Sequence, residues 1–133
     1  MSTYPKVKSY KDLIVWQKSM QLCFDIYAVT NVYPRTEMFG LTSQMRRASV
    51  SVASNIAEGC GRSKKMAEYH QFLRYAYASA VELETQLIIS HHLNYIKTEK
   101  FTFLESNLTE ILKILNKILS YQAGNRPPHY LTT

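Results

Sequence analysis

Apolar residues return every three or four positions through four separate segments of this chain, and short stretches carrying Pro, Gly or Asn divide one segment from the next. That period marks amphipathic helices, each with one face that must be kept from water. No segment alternates apolar and polar residues as a half-buried strand does. Loops of about 4 to 10 residues make successive helices antiparallel neighbours, so the pattern predicts an all-α fold, an up-down-up-down antiparallel four-helix bundle. A three-helix core whose fourth helix is exchanged between chains satisfies the same pattern and stands as the alternative. With 133 residues, 46% of them hydrophobic, the chain suits one domain over residues 1–133 with a real core.

The spacing predicts helices over about 10–31, 42–59, 64–93 and 99–122, followed by a tail over 124–133. Ser9 with Asp12 has the form of a cap with an acid in the first turn, and Thr42, Ser63 and Thr98 are the cap candidates for the other three helices. The expected inward rows are Leu13, Trp16, Met20, Cys23 and Tyr27 on the first helix and Met45, Ala48, Val52 and Ile56 on the second. Tyr69, Phe72, Leu73, Ala76, Ala80, Leu83 and Leu87 follow on the third, and Leu104, Leu108, Ile111, Leu115 and Ile118 on the fourth. A second apolar row on the third helix, Tyr77, Val81 and Ile88, implies neighbours on two sides. Gly59 and Gly61 are read as the terminators of the second helix, and Gly124 as that of the fourth.

The stretch SQMRRASVSVASNIAEGCGRSK is poor in bulk, and small side chains let helix backbones approach closely. It is read as a contact surface. Gln44, Arg47, Ser51, Asn55 and Glu58 within it recur every three or four residues and share a face, with Glu82 and Glu84 on the next helix as counter-charges. This polar set is expected to form a network at a packing or assembly surface. Were Arg47 buried, losing it would cost about 3 kcal/mol; a solvated row is the competing reading.

The ordered run of Trp16, Phe39 to Leu41, Gln44, Arg47-Ala48, Ser51, Asn55 to Gly59 and Glu82 to Leu87 resembles the four-helix-bundle proteins encoded in intervening sequences of bacterial 23S ribosomal RNA genes. The similarity extends from about Tyr10 through Leu119. It implies an up-and-down bundle that assembles into a ring-shaped homo-oligomer, typically a pentamer. The resemblance reaches the basic accessory proteins of diversity-generating retroelements, which engage nucleic acid and a reverse transcriptase. Ala53 and Ala78 depart from the proline and glycine that the family often has there, so a local kink is not carried over.

Chemistry has little to work with. His91 and His92 sit about 100° apart on a helix and cannot chelate one ion from a shared face, and His70 is far from both. Glu82 and Glu84 diverge in the same way, and the chain has no Glu-x-x-His motif of the di-iron bundles. GCGRSKK lacks the spacing and the preceding strand of a phosphate loop. No metal, cofactor or enzymatic activity is expected. Cys23 and Cys60 read as small buried hydrophobes, the start of the chain lacks the apolar core of a secretory leader, and no apolar run is long enough to span a membrane. A cytoplasmic protein is expected.

Sixteen Lys and Arg against 10 Asp and Glu leave a net charge of +6, which attracts polyanions. Arg62, Lys64 and Lys65, just ahead of a helix, and Lys113 with Lys117, four apart on the last helix, are the candidate phosphate contacts. The crowded tyrosines Tyr69, Tyr75 and Tyr77 read as interface or core residues more readily than as base-stacking platforms. The functional expectation is a non-enzymatic homo-oligomer that binds or scaffolds nucleic acid, RNA first; the alternative is a protein–protein adaptor whose charge serves solubility.

Overall fold

The computed structural model describes residues 9–62 and 64–120. They form four helices, α1 (Ile14–Thr30), α2 (Leu41–Gly61), α3 (Met66–His92) and α4 (Thr98–Leu119), with two 3-10 turns, Tyr10–Asp12 and Arg35–Glu37. Each helix packs on the next, and α1 meets α4 to close the bundle. Paired contacts establish the antiparallel sense. Across α2 and α3, Met45 meets Ser90, Ser51 meets Ser79, and Gly59 faces Tyr69 and Phe72. Across α1 and α4, Lys18 near the start of one reaches Glu110 in the second half of the other.

Local chemistry moves several helix ends from where the sequence puts them. Ser9 and Asp12 do form a capping box, with the Lys11 N–H donating to Ser9 Oγ and the Ser9 N–H to Asp12 Oδ2. What they cap is the short 3-10 turn, and extended Leu13 separates it from α1. Thr42 is not the cap of α2: Glu37 Oε1 accepts the Leu41 N–H at 3.2 Å, and Thr42 is buried within the first turn. Thr98 is the first residue inside α4, with its hydroxyl 3.1 Å from His91 Nε2, and Lys97 holds the cap position. α3 begins at Met66 behind Lys65, whose N–H closes a turn onto the Arg62 carbonyl; Ser63 lies outside the described residues. So do residues 121–133, which hold the last two expected positions of the fourth helix, Gly124 and the tail. Asn94, at φ 64°, takes the left-handed conformation that ends α3, and the Tyr95 N–H returns to the Ser90 carbonyl at 2.9 Å.

Gly59 does not terminate α2, which continues to Gly61. A Cβ at Gly59 would sit 3.1 Å from Phe72 Cβ and 3.3 Å from the Tyr69 carbonyl oxygen, so the missing side chain sets how closely α2 lies on α3. Ala48, Ala76 and Ala80, all fully buried, serve the same close approach.

The core is built as expected from α2, α3 and α4, except that Tyr69 and Phe72 of the α3 row are only half-buried where that helix starts. On α1 the inward row is Val15, Leu22, Ile26 and Val29, with Ser19 satisfied by the Val15 carbonyl. The expected row is turned toward α2: Leu13 and Cys23 are buried, but Trp16 and Met20 are half-buried and Tyr27 is 43% exposed. α1 carries two apolar rows, and the serine in one of them made the other look the stronger.

Candidate nucleic-acid interface

An up-and-down bundle gathers alternate connections at each end. The α2–α3 turn, the start of α1 and the end of α4 therefore share one end, which brings together Arg62, Lys64, Lys65, Lys113, Lys117 and Lys11. The five candidate residues meet at an end of the bundle but not on one face. Arg62, Lys64 and Lys65 border α2 and α3, whereas Lys113 and Lys117 project from the outer face in the last turns of α4.

These cations are not equally free. Arg62 donates from Nε and Nη2 to Glu58 Oε1 at 3.1 and 3.0 Å, approaches Glu68 Oε2 at 3.7 Å, and lies over the Phe72 ring at 5.2 Å. Lys65 touches Glu68 at 4.0 Å but keeps 78% of its side chain exposed. Lys64, Lys113 and Lys117 are exposed and have no ion pair among the described residues. Lys64 and the α4 pair are thus the cations most available to a polyanion, and Arg62 chiefly orders the turn.

The polar row assembles in part. Arg47 Nη2 donates to Glu82 Oε1 at 2.9 Å and to Gln44 Oε1 at 2.8 Å, and Gln86 donates to the same Glu82 oxygen. One and two turns on, the Ser51 and Ser79 hydroxyls lie 2.8 Å apart, and Asn55 Nδ2 donates to the Ser51 carbonyl and hydroxyl. Within one chain this ladder is not a buried network. Arg47 is 61% exposed along its side chain and Glu82 41%, so water screens the pair and its share of chain stability is about 0.2–1 kcal/mol, well below the 3 kcal/mol of a buried pair. Glu58 belongs to Arg62 instead. Ser79 and Gln86 were missed, because nothing short of the α2–α3 register marks them as partners.

Glu84 is directed away from the ladder toward α4 and Glu105. Glu105 Oε2 is shut off from water. Burial pushes the Glu105 carboxyl up to about 7, and the hydrogen bond and negative charge of Glu84 act in the same direction. The two carboxyls hydrogen bond only while they share a proton. On the same seam, His91 stacks on Phe101 with ring centroids 4.3 Å apart, one or two turns away. Because the folded-state pKa lies above the unfolded one, the stabilisation is complete below the ordinary carboxylate range and is lost as pH rises through 7. Denaturant titrations at pH 5 and pH 8 should therefore show a weaker protein at pH 8. Glu105→Gln should flatten that difference by about 1 kcal/mol, a figure lowered for the solvent that reaches the pair; an unchanged pH profile would separate the two carboxyls.

A model of the 23S rRNA-intervening sequence protein family matches residues 11–117. Six chains of solved structures match as well. One is the 1.70 Å crystal structure of a protein of unknown function from the S23 ribosomal protein family of Bacteroides thetaiotaomicron. It superposes with a TM-score of 0.74 at 25% identity, over 81% of this chain and 100% of that one. No curated protein matches this chain.

Proposed function

The chain belongs to the 23S rRNA-intervening sequence protein family, and from that premise we propose that it is a non-enzymatic, cytoplasmic, self-associating bundle that binds nucleic acid, RNA first, at its basic end. The observation that carries this reading is the gathering of Lys64, Lys65, Lys113 and Lys117 at one end, where Lys64, Lys113 and Lys117 have no ion pair among the described residues. Phosphates binding there release counterions, and a ring of copies repeats the patch around its axis. No described helix is long and apolar enough to cross a membrane.

Self-association is supported by two different apolar faces. On one, Phe24 (59% exposed) lies level with Val50 (42%) across the α1–α2 seam, beside Tyr27 under the Arg46 guanidinium. On the other, Val81 and Ile88, 40% and 52% exposed, run along α3 with Ala78 and Thr85. Unlike faces on one subunit make head-to-tail contacts, which close into rings when the rotation allows. The family resemblance implies a pentamer as the size of such a ring. An adaptor role finds its support at the opposite end, where Phe39 is 91% and Val32 80% exposed.

Labelled RNA titrated at several salt concentrations, with light scattering on the same samples, tests the proposal. An oligomer should bind with affinity falling steeply in salt. Replacing Lys64, Lys65, Lys113 and Lys117 by Ala should weaken binding at least tenfold and flatten the slope by about 0.7 for each phosphate that is no longer neutralised. Unchanged affinity would move the binding surface elsewhere, and a monomeric mass would remove the ring.

A further inference from the structure

Beside the basic α2–α3 turn lies an aromatic edge. The Phe72 ring has one face under the Arg62 guanidinium, and Tyr75 meets it edge-on, with ring centroids 6.0 Å apart and planes at 85°. Arg62 is held in turn by Glu58 and Glu68, so Phe72 is fixed from two sides and serves as a rigid wall for Tyr75. Tyr75 itself is 49% exposed, and its hydroxyl has no hydrogen-bond partner among the described residues. Arg74 is exposed next to it, and Lys64 and Lys65 stand at the turn.

Across the seam the walls are low. The Ser51–Ser79 contact on one side and the Gly59–Phe72 contact on the other bracket Asn55 and Tyr75, setting them level with each other. The amide of Asn55 is oriented without ambiguity, because the Ser51 carbonyl can only accept and so takes its Nδ2. Its Oδ1 is left without a donor among the described residues. The edge thus offers a flat ring, an unused acceptor and flanking cations. An unpaired nucleobase presents the complement: a π-face, an exocyclic amino donor and phosphates on either side. A duplex keeps its base faces stacked internally and could use only the cations. Glu58 and Glu68 lower the net charge here, which disfavours binding that relies on phosphates alone.

Resting on the nucleic-acid reading above, we propose that the partner is single-stranded and that Tyr75, braced by Phe72 and faced by Asn55, stacks on an unpaired base. The test is an anisotropy titration of the full chain with a labelled RNA of about 12 nucleotides and mixed sequence, single-stranded and as the matching duplex. Tyr75→Ala, Tyr75→Phe and the Lys64→Ala/Lys65→Ala pair are titrated in parallel, with light scattering on each. The single strand should bind at least tenfold tighter than the duplex. Tyr75→Ala should lose about 5- to 150-fold toward the single strand, the usual worth of one stacked base, with the salt slope unchanged. Tyr75→Phe should bind as the wild type does, and the Lys pair should lower the slope. Equal binding of duplex and single strand, or an unchanged Tyr75→Ala, overturns the stacking site and leaves nucleic-acid binding in place. A change of mass in Tyr75→Ala overturns it too, by making the edge a contact between copies. No binding of either RNA at low salt overturns the nucleic-acid reading itself.

Discussion

Gly59→Leu should melt about 10 °C below the wild type, whereas Gly59→Ala should stay within about 3 °C of it. Both substitutions gain about 1 kcal/mol of helix propensity, because Gly59 is a helical residue inside α2. Both also place a Cβ 3.1 Å from Phe72 Cβ and 3.3 Å from the Tyr69 carbonyl oxygen. Neither neighbour is the far end of a flexible side chain. A single methyl requires a shift of a few tenths of an ångström, which the propensity gain offsets. A leucine must force α2 and α3 apart along their most extensive contact, and overpacking of that kind costs about 3 kcal/mol. The pair of variants also separates two roles of glycine. A left-handed terminator would penalise alanine about as much as leucine, so similar losses in the two variants contradict the packing role.

The second large effect lies on α3. Leu83 is fully buried and faces leucine and isoleucine side chains of the common core. Leu83→Ala should therefore cost about 3 kcal/mol of unfolding free energy in denaturant titrations. Ile88, five positions along the same helix, is 52% exposed, and Ile88→Ala should cost less than about 0.5 kcal/mol in a dilute, dissociated chain. At concentrations where copies associate, the order of effects on measured mass should reverse, with Ile88→Ala shifting the assembly and Leu83→Ala acting through folding alone. Comparable losses in the dilute chain would place both rows of α3 in the core.

Much of the fold is legible without knowledge of any tertiary contact. The inward rows of α2, α3 and α4 follow from residues recurring at helical spacing, since only a buried face repays a run such as Leu104, Leu108, Ile111, Leu115 and Ile118. On α1 two apolar rows compete, and the choice between them falls to the packing of α2 and α4 against it. Caps are misplaced where the acceptor comes from beyond the usual position: Glu37, four residues ahead of Leu41, takes the role expected of Thr42, and its Oε2 also accepts the Tyr95 hydroxyl at 2.9 Å from the α3–α4 connection. No local pattern announces such a bond.

For the candidate site the division is sharper. The sequence by itself determined that the helices exist, that α2 is lean enough for close packing, that the charge is basic, and which residues could meet a phosphate, because helical period and composition are properties of a segment. Only the tertiary structure decided that Glu82 and not Glu84 pairs with Arg47, that Glu84 meets Glu105, that Arg62 is already occupied while Lys64, Lys113 and Lys117 have no ion pair among the described residues, and that Tyr75 meets Phe72. Those outcomes depend on register and rotation between helices. Both are set by how side chains far apart in the chain interlock, above all by the space left at Gly59, and not by any helix alone.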